Sequence, residues 1–272
     1  MLRRYFSTDI PDIREFFRAE PDKAIALNAG IQSIDRLHFD IWLSRDEAGQ
    51  LAAVIFRNYS DFYLRTKPTA DLGEVSSFIR FAPAVGSLCC HLETATLMMP
   101  LLPDVIAFEI NEVAVQHLKP EPLAFALDYT RVQGMKHYRM VYELLRTAEN
   151  MELTRFDDYY HVRRNTDKSW SGRTYCLIHD DVAYATASSM GEGDASALIV
   201  DVATHPDFRR KGLGKALLTV LCAELHNGGK TPYVMYRSPE AKAFYQVLGF
   251  TDLYRVIRMS FRASSSPLSD SC

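Results

Sequence analysis

Apolar residues recur along the 272-residue chain in two rhythms, one helical and one alternating, and the changes between them mark the elements. Between Asp12 and Leu27, the positions Ile13, Phe16, Phe17, Ala24 and Ile25 predict one or two short helices broken at Pro21. His38 to Leu43 and Leu51 to Asn58 read as a strand hairpin across the polar turn Ser44 to Gln50, and Asp61 to Thr66 alternates as a third strand. A helix is predicted from about Thr69 to Phe81, with Thr69 as its cap, a stripe of Leu72, Val75, Phe78 and Ile79, and Pro83 as its stop. Gly86 to His91 and Val105 to Val115 read as further strands, after which Pro120 and Pro122 punctuate the chain.

The second half opens on a helical stripe at Tyr138, Val141, Leu144 and Leu145, within about Tyr138 to Ala148. Strands are predicted at Tyr159–Arg164, Arg173–His179, Val182–Ser189 and Ala197–Ala203, with turns at Asp180-Asp181 and from Gly191 to Asp194. A long helix after Gly212 carries Leu213, Ala216, Leu217, Val220, Leu221 and Leu225 on one face to about His226, and Gly228-Gly229 stops it. A strand at Pro232–Arg237, a helix from Pro239 to Leu248 ended by Gly249, and a strand near Tyr254–Phe261 complete the order. The Ser-rich stretch 263–272 has no apolar period and is expected to be disordered. The two halves present their elements in loosely similar order, which suggests a degenerate duplication.

Composition narrows the class. With 31 Lys+Arg against 34 Asp+Glu the net charge is −3, which argues against a nucleic-acid or membrane-surface binder. Apolar residues make up 47%, enough for a sizeable core. No signal-peptide h-region and no apolar run near 20 residues is seen, so no membrane segment is expected. The five cysteines, Cys89, Cys90, Cys176, Cys222 and Cys272, form no CxxC pair, which fits a reduced cytoplasmic setting. The histidines His38, His91, His117, His137, His161 and His179 lack ligand spacing, so no metal is expected.

One stretch carries chemistry. From Ala197 to Ala216 an apolar strand runs into a loop with Arg209, Arg210, Lys211, Gly212 and Gly214, and a strong helix begins at once. The first N–H groups of a helix lack internal partners and its dipole adds positive charge there, so strand, glycine loop and helix together suit a phosphate anion. Glycine lets the anion approach the backbone, and Lys215 adds a further cation. The loop is neither GxxxxGK[ST] nor GxGxxG, because Leu217 stands at the third glycine position.

The segment Arg209-Arg-Lys-Gly212-Leu-Gly214, preceded by Val202-Ala-Thr-His-Pro206, resembles the coenzyme A pyrophosphate loop of the GNAT superfamily of N-acetyltransferases. Ala241-Lys-Ala-Phe-Tyr245-Gln-Val-Leu-Gly249-Phe250 resembles that superfamily's second signature. The resemblance implies a mixed α/β fold, a mostly antiparallel central sheet with flanking helices. It divides the chain into a degenerate GNAT-like α/β domain at 1–130, a GNAT acetyltransferase domain at 131–262 and the tail at 263–272. It implies acetyl-CoA as cosubstrate and a primary amine of a small molecule or peptide as acceptor, with direct attack of the neutral amine on the thioester. Val202, Ala203 and Thr204 would meet the pantetheine arm, and the N–H groups of Arg210, Lys211, Gly212, Leu213, Gly214 and Lys215 would hold the pyrophosphate beside Arg209. Ser238 and Ala241 would contribute from the next helix, and Tyr245 would protonate the departing thiolate.

Two departures shape the expectation. Ser238 stands where many members carry Asn, and Leu198 where histone-acetylating members carry a Glu base. A base would then come from Asp201, His205, Glu192 or Asp194, or through water, or not be needed. The first half has no glycine-phosphate loop, since its helix opens Thr69-Ala-Asp-Leu-Gly73, and Glu93, Glu109 and Glu112 are candidates to face a cationic amine. A non-catalytic acyl-CoA-binding module is the alternative function. Oligomeric state stays open, a homodimer included.

Overall fold

The computed structural model describes residues 1–19, 40–58, 60–148, 153–193 and 195–262. Ala24, Ile25, Pro21, His38, Asp194 and the tail from Ala263, with Cys272, therefore lie outside the described residues. The chain forms two compact units. The first holds the N-terminal segment to Glu112 together with residues from Tyr254 onward, and the second holds Val113–Leu253. The change of unit falls at 112/113, inside a strand.

The first unit contains β1 (Arg3–Arg4), α1 (Ile10–Arg18), β2 (Asp40–Arg45), β3 (Leu51–Asn58), β4 (Asp61–Thr66), α2 (Leu72–Phe81), β5 (Ser87–His91) and α3 (Leu92–Met98). Strands β2, β3 and β4 form an antiparallel meander. The chain then crosses over through α2 so that β5 lies parallel to β4, from Asp61↔Ser87 to Leu64↔Cys90. On the other side of β5, the last strand of the chain, β12 (Thr251–Phe261), runs antiparallel to it. Strand β6 (Val105–Val115) carries the chain out of this unit. Ala53, Ile55, Phe62, Leu64, Val75, Ile79, Leu88, Met98 and Met259 pack together as the core. The α2 cap is Asp71, whose carboxylate accepts from the Glu74 N–H at 2.9 Å, and not Thr69, whose hydroxyl donates to Asp46.

The second unit repeats that order. It holds β7 (Thr130–Arg131), α4 (Gly134–Arg146), α5 (Phe156–Lys168), β8 (Thr174–His179), β9 (Val182–Met190), β10 (Ser196–Thr204), α6 (Leu213–Asn227), β11 (Thr231–Tyr236) and α7 (Pro239–Val247). Strands β7 to β10 are antiparallel, and the crossover through α6 sets β11 parallel to β10. Residues 159–164, expected as a strand, lie instead within α5. The run Tyr-Tyr-His-Val has strand-like composition, but Phe156, Tyr159 and Arg163 are buried at helical spacing, and Asp157 and Asp158 suit a helix N-terminus. Two apolar clusters lie on opposite faces of these strands, one beneath α6 and α7 with Ala197, Ile199 and Val234, the other beneath α4 and α5 with Cys176, Ala183 and Ala203.

Candidate active site

Strand β10 is irregular where it matters. Its register with β9 runs Val200↔Ser188 and resumes at Ala203↔Thr186, so Asp201 and Val202 together oppose Ala187 alone. That is a β-bulge, and Asp201 takes a left-handed φ of 52° to make it. The extra residue reverses the side-chain alternation: Ala197 and Ile199 face α6 and α7, yet beyond the bulge it is Val202 that packs on that side, while Ala203 packs under α4 and α5. The parallel register with β11 ends at Ile199↔Val234, although β10 continues to Thr204 and β11 to Tyr236. The two strands therefore part beside Val202, Ala203 and Thr204.

The loop that follows has its own geometry. Arg210 and Gly212 both adopt left-handed φ, 64° and 77°, and α6 starts at Leu213 with no side-chain cap. Among the described residues none of the N–H groups from Arg210 to Lys215 has an acceptor, and the first intrahelical bond runs from Ala216 N–H to Gly212 C=O at 2.9 Å. A Cβ placed on Gly212 would meet nothing within 4 Å, so open space lies over that position. Gly214 is different, because its Cβ would sit 2.6 Å from Thr204 Oγ1. It is glycine so that the helix can start against the end of β10. Arg209, Arg210, Lys211 and Lys215 are exposed and form no ion pair among the described residues. Arg209 donates from Nε to Thr204 C=O at 3.2 Å, and the Lys211 ammonium sits 4.8 Å over the Phe208 ring. The result is a patch of unpaired donors and cations, which suits a diphosphate.

Strand β11 leads into α7, whose N–H at Ala241 is capped by Ser238 Oγ at 3.1 Å. One Ser238 lone pair is thus spent inside the protein, and its O–H and second lone pair remain. Tyr245 lies in the last turn of α7, 8% exposed, among Tyr236, Phe244 and Phe250 rings at 5.2 to 5.7 Å. Burial, helped by the nearby Cys222 thiol, pushes its phenol far above the usual tyrosine range. Its hydroxyl has no hydrogen-bond partner among the described residues. It is a protonated donor held in apolar surroundings with nothing yet to donate to.

The expected bases are otherwise engaged. Asp201 Oδ2 pairs with Arg163 Nη2 of α5 at 2.5 Å and accepts from the Tyr159 hydroxyl at 3.3 Å. Glu192 is buried and bound by Arg173, Lys230 and Ser189, next to the start of β10 and away from the bulge. Burial raises its pKa, but the bonds from Arg173, Lys230 and Ser189 outweigh that and hold it below the ordinary range. His205 Nδ1 accepts from the Asp207 N–H at 3.4 Å and so caps the turn Pro206–Phe208. Leu198 is buried. In the first unit Glu112 pairs with Arg255 at 2.6 Å, Glu93 is exposed in the first turn of α3, and Glu109 lies along β6. Arg163 and Tyr159 escaped the sequence reading because their segment was read as a strand, and the 3–4 spacing of Phe156, Tyr159 and Arg163 is the signal that places them on one helix face.

A bulged strand parting from its parallel neighbour is followed by an uncapped glycine-led helix, in an α/β protein whose open donors suit an anion. Residues 170–252 match the family model described as the acetyltransferase (GNAT) domain. That segment, which carries β8 to β11, α6 and α7, is thus similar to GNAT acetyltransferase domains. Among curated proteins, GCN5-related N-acetyltransferase 1, chloroplastic, of Arabidopsis thaliana is 39% identical over 124 residues, covering 39% of this chain and 60% of that protein. Serotonin N-acetyltransferase 2, chloroplastic, of Oryza sativa subsp. japonica is 36% identical over 69 residues, covering 25% and 34%. The chain thus spans between a third and three-fifths of the length of these relatives. A tandem GNAT protein of the clavulanic acid biosynthesis pathway superposes over 98% of this chain and 99% of its own, with TM-score 0.63 at 14% identity. That likeness shows the fold, and it extends the GNAT-like architecture to the N-terminal half. No described helix is long and apolar enough to cross a membrane, and no group of three or more His, Cys, Asp or Glu among the described residues could hold a metal.

Proposed function

We propose that this chain is an acetyl-CoA-dependent N-acetyltransferase, acting on a primary amine of a small molecule or peptide. The observation that carries the reading is the unbroken run of unpaired N–H groups from Arg210 to Lys215, set beside the parted ends of β10 and β11. The donor run and the four cations hold the pyrophosphate, and Gly212 leaves the space over the loop open for it. Val202, Ala203 and Thr204 offer the pantetheine arm a strand edge where β11 has turned away. Ser238 and Ala241, at the capped start of α7, complete the proposed binding set.

When bound, acetyl-CoA supplies an activated acyl carbonyl and a thiolate leaving group. The backbone N–H groups around Val202 stabilise the charge that develops on the carbonyl oxygen as the neutral amine attacks. Tyr245 donates its hydroxyl to the departing sulfur. A thiolate has pKa ~8.5 and an ordinary phenol ~10, and burial raises the phenol further. Tyr245 therefore acts chiefly as a hydrogen-bond donor that stabilises the leaving thiolate, and complete proton transfer is uphill. With Asp201 and Glu192 both paired, water or the arriving amine's own equilibrium supplies its free base.

Calorimetric titration with acetyl-CoA, CoA and ATP in parallel tests the reading. Binding of both CoA forms with ATP much weaker is expected. A thiol-release screen against amines follows, beginning with serotonin, the acceptor in the rice relative's name. Absence of CoA binding refutes the assignment. CoA binding without turnover on any amine assigns the chain to the non-catalytic class instead. A cytoplasmic location is part of the same proposal, supported by the free thiols of Cys89, Cys90, Cys176 and Cys222.

A further inference from the structure

We infer that Arg163 is a positioning residue that sets the bulge of β10, acting through Asp201 and resting on the acetyltransferase reading above. Three observations converge. First, without the bulge Asp201 would follow Ala197 and Ile199 onto the face of β10 that packs under α6 and α7, putting a carboxylate into an apolar cluster. Second, the extra residue turns that carboxylate to the opposite face, where Arg163 meets it at 2.5 Å and Tyr159 at 3.3 Å. Third, both side chains of the pair are nearly out of water, 8% exposed for Arg163 and 13% for Asp201, and Arg163 lies one turn after Tyr159 on the buried face of α5. A left-handed aspartate inside a strand persists only where its surroundings hold it there. The pair does that holding.

The consequence is functional because the residue after Asp201 is Val202, around which the N–H groups face the acyl carbonyl. Turning Asp201 turns the next peptide plane. Arg163 keeps a further donor, Nη1, buried with no partner among the described residues, so its guanidinium is committed to the bulge and not saturated by a wider structural network. Residues of α5 thereby govern how well the strand polarises the thioester.

The test compares turnover with binding. Asp201→Asn keeps the size and the tolerance of a left-handed φ but loses the charge. Because it leaves a buried guanidinium uncompensated, Asp201→Gly combined with Arg163→Met serves as the companion variant, in which glycine takes the backbone angle freely and no charge is buried. We expect kcat to fall at least tenfold in both, with the Kd for CoA within twofold of wild type. The preference of the wild type for acetyl-CoA over CoA should shrink, since only the acetyl form carries the carbonyl. A purely structural pair would alter thermal stability without separating kcat from the CoA Kd. Wild-type turnover together with unchanged kcat and unchanged acetyl-CoA preference in the folded double variant overturns the role of Arg163 alone. A wild type that ignores acetyl-CoA overturns the acetyltransferase reading, and this inference with it.

Discussion

Gly214 offers a prediction whose sign can be worked out beforehand. Replacing glycine by alanine near the start of a helix is ordinarily favourable, by roughly 0.5–1 kcal/mol, because less backbone freedom is lost on folding. Here the added methyl would lie 2.6 Å from Thr204 Oγ1, far inside van der Waals contact, while Thr204 Cβ is at an ordinary 4.0 Å. Overpacking of that kind costs about 1–3 kcal/mol, so the clash outweighs the propensity gain and Gly214→Ala should destabilise by ~1–2 kcal/mol net. For a chain of this size that lowers Tm by roughly 2–8 °C. Relief comes from retreat of the first turn of α6, which also displaces the N–H groups of Leu213 to Lys215, and the Kd for CoA should rise about tenfold. In a Thr204→Ala background the offending oxygen is gone and only the 4.0 Å contact remains. The same Gly214→Ala change should then be neutral or stabilising. Thermal melts and calorimetry on the four proteins of this cycle decide the matter. Equal effects of Gly214→Ala in both backgrounds would show that Thr204 is not what it meets, and a rise in Tm with Thr204 present would reverse the argument.

Three further outcomes are expected. Gly212→Asp combines a strained left-handed residue with a carboxylate in the open space above the loop, and CoA binding should weaken by about 2 kcal/mol or more; undiminished affinity by calorimetry would remove the pyrophosphate from this site. Tyr245→Phe deletes a hydroxyl that makes no hydrogen bond among the described residues, so Tm and CoA affinity should hold while kcat falls roughly 100-fold; unchanged kcat would make Tyr245 a core residue only. Glu192 has a folded-state pKa below its unfolded value, so its contribution is complete at neutral pH and is lost as the pH falls below the ordinary carboxylate range. The Tm gap between wild type and Glu192→Gln should be widest at pH 7, on the order of 3 kcal/mol in stability, and should narrow below pH ~4.5; a gap independent of pH would mean that its bonds to Arg173 and Lys230 carry no charge-dependent stability.

The sequence made the loop legible and left much around it obscure. Strand, basic residues, paired glycines and a Leu-rich helix follow one another within twenty positions, and local rules suffice to read such a run. Tyr245 was legible in the same way, from a short helix ended by Gly249, which takes φ 83°. The bulge was not, because Asp201-Val202 alternates with its neighbours like any strand, and only the partner register reveals the additional residue. The Arg163–Asp201 pair joins positions 38 apart in the chain, and its helix was disguised by the β-favouring Tyr159-Tyr-His-Val162. Asp201 and Glu192 looked like bases for a similar reason. A carboxylate near a site is visible in sequence, whereas the guanidinium that neutralises it comes from a distant element.

The same local chemistry explains why one fold, used twice, leaves its first-turn helix donors unpaired in only one unit. In both, three antiparallel strands lead through a crossover helix into a parallel strand, β4–α2–β5 and β10–α6–β11. Asp71-Leu72-Gly73-Glu74 opens the first helix and Gly212-Leu213-Gly214-Lys215 the second. The leucine and second glycine are shared. Gly73 also sits tight, since a Cβ there would meet Asp71 Oδ1 at 3.2 Å. What differs is the cap and the charge. Asp71 has an extended φ of −75° and spends its carboxylate on the Glu74 N–H, whereas Gly212 is left-handed and leaves every first-turn donor unpaired. Glu74 in turn accepts from Ser44 at 2.7 Å and from the Leu2 N–H at 2.5 Å, so the start of α2 is already furnished with anions of its own. A diphosphate brought there would meet two carboxylates in place of a glycine and a lysine. The helix dipole is the same at both positions, and it is the occupant of the cap that decides whether the dipole serves the fold or a ligand.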